Sequence, residues 1–243
     1  MSLKVLIQGA LGRMGEALKQ AAEDHGHEIV AAVDLGDCVS DCITGADLAI
    51  DFSHHSATHA LADCAGQEGV PVVIGTTGHS EEEKRAILKA LESVPVVWAG
   101  NYSLGVNLLF YLTQKASEIL PNEYDAEVLE MHHRFKKDAP SGTAENLLER
   151  IKAAPQRSNH QVVHGREGIT GERTDHEIGV HSLRGGDVVG DHTVMFSAQG
   201  ERLELTHKAS DRMIFARGAI HAGEWLVTQP PGLYHMQDVL GLK

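Results

Sequence analysis

The segment LKVLIQGALGRMG, residues 3–15, decides the fold of this chain. A short apolar run, typical of a buried strand, leads into the turn Gly9-Ala10-Leu11-Gly12-Arg13-Met14-Gly15 and then into a helical pattern. Glycines at such a turn let the backbone approach a pyrophosphate, whose oxygens then face the N–H groups at the helix N-terminus. A glycine triplet alone fits a plain strand-to-helix turn equally well, so a second signal is needed.

Asp34 supplies that signal, because it closes the second predicted strand about twenty residues after the turn. A carboxylate there accepts hydrogen bonds from the adenosine ribose hydroxyls of a dinucleotide. The same carboxylate repels the 2′-phosphate of NADP, and the next residue is Leu35 rather than an arginine. The sequence therefore favours NADH, while Arg13 in the turn offsets part of the repulsion and keeps NADPH possible.

Short apolar runs alternate with amphipathic runs over the first hundred residues. Strands are predicted at 3–8, 29–33, 48–52, 71–74 and 95–98, and helices at 14–23, 57–67 and 81–91. This alternation indicates an α/β fold in which helices cover both faces of a parallel, Rossmann-type sheet. The turn-rich segment 36–46 predicts a loop in place of the second crossover helix.

The pattern changes after Asn101. Helices are predicted at 106–120 and 143–153, and strands at 126–133, 176–183, 187–197 and 201–207, with 155–175 as a long polar connection. We therefore expect a dinucleotide-binding domain over 1–103, with 213–243 packing back on it, and a second α+β domain over 104–212. The sheet of the second domain is expected to be mixed or antiparallel.

Composition excludes several classes of partner. The chain has 34 acidic and 21 basic residues, for a formal net charge of -13, which disfavours nucleic acid and anionic lipid surfaces. No apolar run is long enough for a membrane span, and the N-terminus lacks the pattern of a secretory signal. An odd number of cysteines, Cys38, Cys42 and Cys64, fits free thiols in a reducing cytoplasm.

Positive charge is concentrated in the segment EMHHRFKKDAPSGTA, residues 130–144. Two histidines, an arginine and two lysines lie within six residues there, ahead of a predicted helix start whose dipole attracts a carboxylate. The segment suits a small dicarboxylate, and a histidine can supply the proton that accompanies hydride addition. Adjacent strand residues point to opposite sides, so at most one of His132 and His133 acts directly unless the strand ends there. The alternative is two structural histidines beside a solvated lysine edge.

No metal site is predicted. The chain has 16 histidines, but none of their spacings resembles a zinc motif, and the Cys38/Cys42 pair lacks a second cysteine pair. His54 and His55 are interpreted as a polar helix start.

The segment 130–144 resembles the E-x-H-H-x-x-K-x-D-A-P-S-G-T-A signature of the 4-hydroxy-tetrahydrodipicolinate reductase family. Other segments similar to that family follow in the same order along nearly the whole chain: the glycine turn, Asp51-Phe52-Ser53, residues 75–78, 101–107, 168–173, 184–192 and 206–210. The resemblance implies NAD(P)H-dependent reduction of 4-hydroxy-tetrahydrodipicolinate to tetrahydrodipicolinate, on the path to diaminopimelate and lysine. It also implies a homotetramer joined through the sheets of the second domain.

The resemblance further implies a role for individual residues. His132 would be the proton donor, Lys136 a second proton donor or a carboxylate partner, and His133 a substrate contact. Gly142 and Thr143 would bind a substrate carboxylate. The cofactor would contact Gly9, Ala10, Leu11, Gly12, Arg13, Met14, Asp34, Gly75, Thr76, Thr77, Ala99, Gly100, Asn101 and Tyr102.

Two departures and two alternatives accompany this interpretation. The segment after Asp34 is shorter than is common in the family, and Leu35 stands where an arginine often helps to hold the NADP phosphate. One alternative function is a non-catalytic dinucleotide-sensing module, which leaves the cationic segment without a chemical purpose. The other is a reductase of another small dicarboxylate.

Overall fold

A computed structural model describes residues 2–242 and divides into two compact units. The first unit comprises the chain up to Leu104 together with the chain from Arg212 onward, and the second comprises Gly105–Asp211. The elements in chain order are β1 (Lys4–Gln8), α1 (Arg13–Asp24), β2 (Glu28–Val33), β3 (Leu48–Asp51), α2 (His55–Glu68), β4 (Val72–Ile74), α3 (Glu81–Ala90), β5 (Pro95–Trp98), α4 (Leu104–Ile119), β6 (Asp125–His132), α5 (Gly142–Lys152), β7 (Gln161–His164), β8 (Glu177–Arg184), β9 (Gly190–Ala198), β10 (Glu201–Ala209), α6 (Met213–Leu226), β11 (Gly232–Tyr234) and α7 (Met236–Val239).

The first unit contains a parallel sheet with strand order β11-β5-β4-β3-β1-β2. Successive side chains of β1 enter different cores, because strand residues alternate between faces. Val5 and Ile7 pack with α1 and α6, whereas Leu6 packs with α2 and α3. Helices therefore cover both faces, and the predicted Rossmann-type sheet is confirmed.

Two segments of this unit bear on the sequence predictions. A 3₁₀ turn at Val39–Asp41 is the regular structure within the predicted loop 36–46. Strand β11 was not predicted; it pairs in parallel with β5 at the edge of the sheet. Its three residues, Gly232 to Tyr234, are too few to show an alternating pattern.

The second unit contains a mixed sheet with strand order β10-β9-β6-β8-β7. Strand β6 pairs in parallel with β8 and antiparallel with β9. Helices α4 and α5 pack on one face, where Phe110 and Leu147 join Val128 and Val194 in a common core. The prediction of a second α+β domain with a mixed sheet is confirmed.

Two boundary predictions in this unit are wrong. The segment 155–175, predicted as a polar connection, contains a 3₁₀ turn at Pro155–Arg157 and the strand β7. Strand β7 has two apolar residues, Val162 and Val163, and it forms because β8 provides a pairing edge, which local sequence does not reveal. The strand predicted at 187–197 begins only at Gly190, since Asp187 lies in the turn after β8.

Candidate active site

The glycine turn after β1 is shaped by close backbone contacts. Gly9 has a φ of 84°, and a Cβ placed on it would lie 2.3 Å from the carbonyl oxygen of Phe52. A Cβ on Gly15 would lie 2.3 Å from the carbonyl oxygen of Gly9. A side chain at either position would therefore fill the turn or push α1 away from it, and the turn fits a bound pyrophosphate.

A cavity of about 640 Å³ lies at the carboxyl ends of β1, β2 and β3 in the first unit. Its lining consists of Gln8, Gly9, Gly12, Val33, Asp34, Leu35, Gly36, Asp37, Cys38, Val39, Phe52, Ser53, His54, Ser56, Ala57 and Ala60. The carboxyl edge of a parallel sheet is where open α/β folds bind ligands, and the volume suits part of a dinucleotide. Of the predicted cofactor residues, Gly9, Gly12 and Asp34 line it.

Asp34 ties the glycine turn to the end of β2. Its carboxylate oxygens accept hydrogen bonds from the backbone N–H groups of Leu11 at 2.7 Å and of Leu35 at 2.8 Å. These two bonds lower the pKa of Asp34, so the group is ionised at neutral pH. Each carboxylate oxygen keeps a further lone pair that can accept a ribose hydroxyl.

The other residues of the glycine turn differ in their exposure to solvent. Leu11 is 79% exposed and Arg13 is exposed, whereas Ala10 is buried in the first core. The side chain of Met14 packs against that same core. A ligand over the turn would thus meet the backbone and the exposed side chains, while Ala10 and Met14 support the turn from below.

The loop after β4 lies against the end of β3. A Cβ on Gly75 would lie 2.3 Å from the ring of Phe52, and Thr76 Oγ1 accepts a hydrogen bond from the backbone N–H of Ser53 at 2.8 Å. Thr77, by contrast, is exposed. The structure therefore brings Gly75 and Thr76 to Phe52 and Ser53, which line the cavity and to which the sequence assigned no role.

The segment after β5 is partly buried in the first core. Tyr102, predicted to contact the cofactor, is 1% exposed, and its hydroxyl lies 2.8 Å from the carbonyl oxygen of Ile74 and 3.0 Å from that of Val97. Its ring is part of the first core, so this side chain supports the sheet. Ala99 also packs against that core, whereas Gly100 is exposed and Asn101 caps the turn through a hydrogen bond from Ser103 N.

A buried carboxylate holds the ends of β1 and β3 together. Asp51 is fully buried and accepts hydrogen bonds from the hydroxyls of Ser53 and Thr58 and from Gln8 Nε2. Gln8 and Ser53 also line the cavity, so the network beneath it is anchored in the sheet. The only sequence signal for this part of the site was the Asp51-Phe52-Ser53 segment.

In the second unit, β6 ends at His132, beside a buried carboxylate. His132 Nδ1 lies 2.6 Å from Glu130 Oε2, and Glu130 is fully buried. Arg184 donates two hydrogen bonds of 2.8 Å to the same carboxylate. Burial raises the pKa of Glu130, but hydrogen bonds from Arg184, Ser182 and His132 outweigh that effect and bring it to about 2.

The two adjacent histidines do not both lie within strand β6. His132 is the last residue of β6, and His133 lies in the segment that leads into the following turn. His133 Nδ1 is buried without a hydrogen-bond partner among residues 2–242. Lys136 Nζ lies 2.8 Å from Asp138 Oδ2, and its side chain is 20% exposed.

The start of α5 is held by the same group of residues. The hydroxyl of N-cap residue Ser141 accepts a hydrogen bond from Ala144 N, and the backbone N–H of Ser141 donates to Glu130 at 3.3 Å. Gly142 and Thr143, the predicted carboxylate receptors, are the first two residues of the helix. A helix start attracts a carboxylate through its N–H groups and dipole.

A buried histidine, His192, also contacts this helix start. His192 Nε2 lies 3.0 Å from the hydroxyl of Ser141, and its ring meets the His132 ring at a centroid distance of 5.1 Å. Burial and the neighbouring His132 lower the pKa of His192 to about 4, so His192 is neutral at physiological pH.

One group of potential metal ligands lies elsewhere in the first unit. His25 Nδ1 and His27 Nε2 lie 3.0 Å and 3.1 Å from Glu224 Oε1. The backbone N–H of Leu3 donates to His27 Nδ1, so in neutral His27 the proton is on Nε2, the nitrogen that faces Glu224. Hydrogen bonding alone accounts for this group.

Comparison with known proteins identifies the family. The family model described as "Dihydrodipicolinate reductase, N-terminus" matches residues 3–102, and the model described as "Dihydrodipicolinate reductase, C-terminus" matches residues 105–240. The chain belongs to the dihydrodipicolinate reductase family. The two matches meet near the boundary between the two units, and the C-terminal one also covers α6 and β11 of the first unit.

Full-length relatives of the dihydrodipicolinate reductase family agree with this assignment. A 4-hydroxy-tetrahydrodipicolinate reductase from Akkermansia muciniphila is 53% identical over 242 residues, which cover 99% of this chain and 98% of the relative. A protein of the same name from Magnetococcus marinus is 46% identical and aligns over 100% of both chains.

A solved structure agrees on the fold. The dipicolinate-bound dihydrodipicolinate reductase from Paenisporosarcina sp. TG-14 superposes with a TM-score of 0.79 at 24% sequence identity, covering 98% of this chain and 99% of that chain. Over residues 2–242, no helix combines the length and the apolar character that crossing a membrane requires.

Proposed function

We propose that this protein reduces 4-hydroxy-tetrahydrodipicolinate to tetrahydrodipicolinate with a nicotinamide dinucleotide, in the route to diaminopimelate and lysine. The observation that carries the proposal is the hydrogen-bonded cluster of Glu130, His132 and Arg184 beside the start of α5, in a chain that also has a dinucleotide-type glycine turn. Family membership, through relatives that bear the name of this reductase, supports the same substrate.

The cofactor would supply the hydride, and the chain would supply its binding site. The glycine turn and Asp34 would hold the pyrophosphate and the adenosine ribose, with Gly75, Thr76, Thr77, Ala99, Gly100, Asn101 and Tyr102 along the same sheet edge. The tight spaces at Gly9 and Gly15 fit this role, because they keep the backbone of the turn free of side chains.

The proton and the substrate carboxylates would be handled by the second unit. Loss of the 4-hydroxyl group of the substrate as water would leave a double bond, and the hydride would add to one end of it. His132 would donate the proton to the other end, and Lys136 would be a second donor or a carboxylate partner. Gly142 and Thr143 would hold one carboxylate at the start of α5, and His133 would contact the substrate. Positive side chains near that helix start offset the acidic character of the chain as a whole.

NADH is the proposed preferred cofactor, with NADPH as a weaker substitute. The ionised Asp34 would lie close to the 2′-phosphate of NADPH and repel it, and Leu35, which is fully exposed beside it, contributes no positive charge. We expect Leu35→Arg to lower the KM for NADPH by a factor of about 5 to 10 while changing that for NADH little. An unchanged KM for NADPH would place the 2′-phosphate elsewhere.

The first unit is proposed as the dinucleotide-binding domain and the second as the substrate and oligomerisation domain of a cytoplasmic homotetramer. Exposed Leu183 and Leu203 on the second sheet, and the presence of free thiols at all three cysteines, support the assembly and the compartment respectively. Sedimentation equilibrium of the purified protein tests the assembly, and a monomer would contradict it.

A coupled assay tests the reaction. A synthase forms the substrate in situ from pyruvate and aspartate semialdehyde, and oxidation of NADH is followed by absorbance. Oxidation that requires the complete mixture is the expected result. No oxidation by a folded, NADH-binding protein would instead favour a non-catalytic dinucleotide sensor. Oxidation only with a different cyclic imine or keto dicarboxylate would favour another reductase.

A further inference from the structure

We propose that Glu130 is a positioning residue that fixes the His132 ring so that its Nε2 atom exchanges the proton, and that Gly190 keeps the space beside Nε2 open. This inference deepens the proposed function and rests on it, because it concerns how the proposed proton donor is held.

The Glu130–His132 hydrogen bond determines which nitrogen is committed to the protein. An ionised carboxylate only accepts hydrogen bonds, so the 2.6 Å contact requires a proton on His132 Nδ1. Glu130 stays ionised because Arg184 donates to both of its oxygens. His132 Nε2 has no hydrogen-bond partner among residues 2–242 and is therefore the nitrogen left for proton exchange.

Gly190, the first residue of β9, lies beside that nitrogen. Its φ is outside the left-handed region, so backbone conformation does not require a glycine there. A Cβ at this position would lie 3.0 Å from His132 Nε2 and 3.5 Å from its Cδ2. The missing side chain therefore leaves room at the edge of the ring through which Nε2 exchanges a proton.

Among the groups around His132, the Glu130 carboxylate is the one that keeps the His132 ring protonated to higher pH. Glu130, Arg184, Lys136 and His192 are the titratable and charged groups that face the ring. Burial lowers the pKa of His132, and Lys136 and Arg184 lower it further, while Glu130 raises it. Loss of the Glu130 charge therefore lowers the pKa of His132, and the proton donor is lost at lower pH.

An amide cannot replace this carboxylate. The two oxygens of Glu130 accept from His132, from Arg184 and from the backbone of Ser141, whereas glutamine has one acceptor oxygen and an NH₂ group. In Glu130→Gln, the NH₂ group of the amide faces either His132 or Arg184, so one of these two donors loses its acceptor. The substitution keeps the volume of the side chain and removes its charge.

The first experiment compares pH profiles of Glu130→Gln and Glu127→Gln, using the full-length protein. Glu127 is the matched control, because it lies on the same strand and also accepts from arginine and histidine side chains. We expect Glu130→Gln to lower kcat/KM by about 10- to 100-fold and to move the decline of kcat/KM with rising pH to lower pH. We expect Glu127→Gln to leave both at the wild-type values.

A purely structural role of Glu130 makes a different prediction. In that case Glu130→Gln lowers the amount of folded protein or raises KM, while the pH at which kcat/KM declines stays that of the wild type. An unmoved pH profile in a folded variant would overturn the proposal.

A second measurement needs no variant at position 130. Long-range proton–nitrogen NMR spectra of the unmodified protein report the tautomer of each imidazole, and His132→Gln identifies the His132 signals by their absence. A proton on Nδ1 in the neutral ring is expected, and a neutral ring protonated on Nε2 would overturn the proposal. This readout does not depend on turnover, so failure of the proposed reaction and failure of the positioning role are distinguishable.

Gly190→Ala tests the space beside Nε2. We expect kcat to fall by about tenfold with an unchanged midpoint of thermal unfolding, because the added methyl group contacts the ring edge of His132. Wild-type kcat in this variant would overturn the role of Gly190.

Discussion

Strand β6 carries two carboxylates with similar partners and different surroundings. Glu127 accepts hydrogen bonds from Arg166, Arg173 and His181, and Glu130 accepts them from Arg184 and His132. In both, burial raises the pKa, but the hydrogen bonds outweigh it and bring the pKa to about 2. Residue types and charge pairing are therefore alike in the two clusters.

The difference between the clusters lies in what surrounds them. The two carboxylates are three positions apart along the strand, so they point to opposite faces of the sheet. Glu130 shares its face with Val128, in the core formed with α4 and α5, and it contacts the start of α5. Glu127 has 17% of its side chain exposed and contacts no helix start among its hydrogen-bond partners in residues 2–242. Both clusters pair a carboxylate with a histidine, but within the described part of the chain only the Glu130 cluster lies beside a helix start that can bind a substrate carboxylate. This difference makes the Glu130 cluster the candidate site.

Removal of the histidine from each cluster is expected to give the largest contrast. His132→Gln should lower kcat by about 10²–10⁴-fold, because it removes the proposed proton donor, and leave NADH affinity unchanged. His181→Gln, which removes the histidine bound to Glu127, should keep wild-type kcat. Steady-state kinetics and NADH titration measure the two effects, and equal kcat values for both variants would erase the distinction between the clusters.

Removal of the arginine should separate the clusters by stability. Arg184→Gln leaves the fully buried Glu130 without its main positive partner and should lower the free energy of unfolding by about 3 kcal/mol. Arg166→Gln should cost about 1 kcal/mol or less, because Arg173 still pairs with the partly exposed Glu127. Urea unfolding measures both. A larger loss in Arg166→Gln would show that Glu127 is the more tightly held carboxylate.

A glycine adjoins each cluster, and the two should respond differently to alanine. A Cβ on Gly179 would lie 1.8 Å from Glu127 Oε2, whose position is held by two arginines and a histidine. Gly179→Ala should therefore destabilise the fold by about 1–2 kcal/mol with unchanged kcat in the folded fraction, the reverse of the pattern expected for Gly190→Ala. Loss of kcat in a stable Gly179→Ala variant would contradict this separation.

Acid should weaken both clusters, and this effect should be smaller than those of the substitutions above. The pKa of each glutamate is depressed from 4.5 to about 2, so its stabilising contribution is present above pH 4.5 and is lost as the pH falls towards 2. Between pH 4.5 and 2, the wild type should lose about 1 kcal/mol more unfolding free energy than Glu127→Gln does. The difference is small because water screens part of this cluster. Identical acid dependence of variant and wild type would show that Glu127 is not paired in the folded state.

Much of the fold could be predicted from local pattern. The apolar run before Gly9 predicts β1, and the glycines predict the turn, because both signals lie within a few consecutive residues. Strands β7 and β11 could not be predicted in this way. Each is short and depends on the edge of a neighbouring strand, β8 or β5, that is distant in the sequence.

The candidate site shows the same division. The signature around His132 and the start of α5 predicts which residue types meet a dicarboxylate, because they are close in sequence. The role of Glu130 does not follow from the signature, since its partner Arg184 is 54 residues away. The burial of Tyr102 and the contacts of Phe52 and Ser53 with the loop after β4 also depend on contacts between segments distant in sequence.

The sequence by itself determined the parallel α/β unit, the dinucleotide-type turn and the cationic segment before α5, because backbone requirements and local charge are written in adjacent residues. Only the tertiary structure decided that Glu130, rather than Glu127, lies beside that helix start. The register of β6 against β8 and β9 aligns His132 with Arg184 and Glu130 with His192, and such pairing is set by packing of the whole sheet.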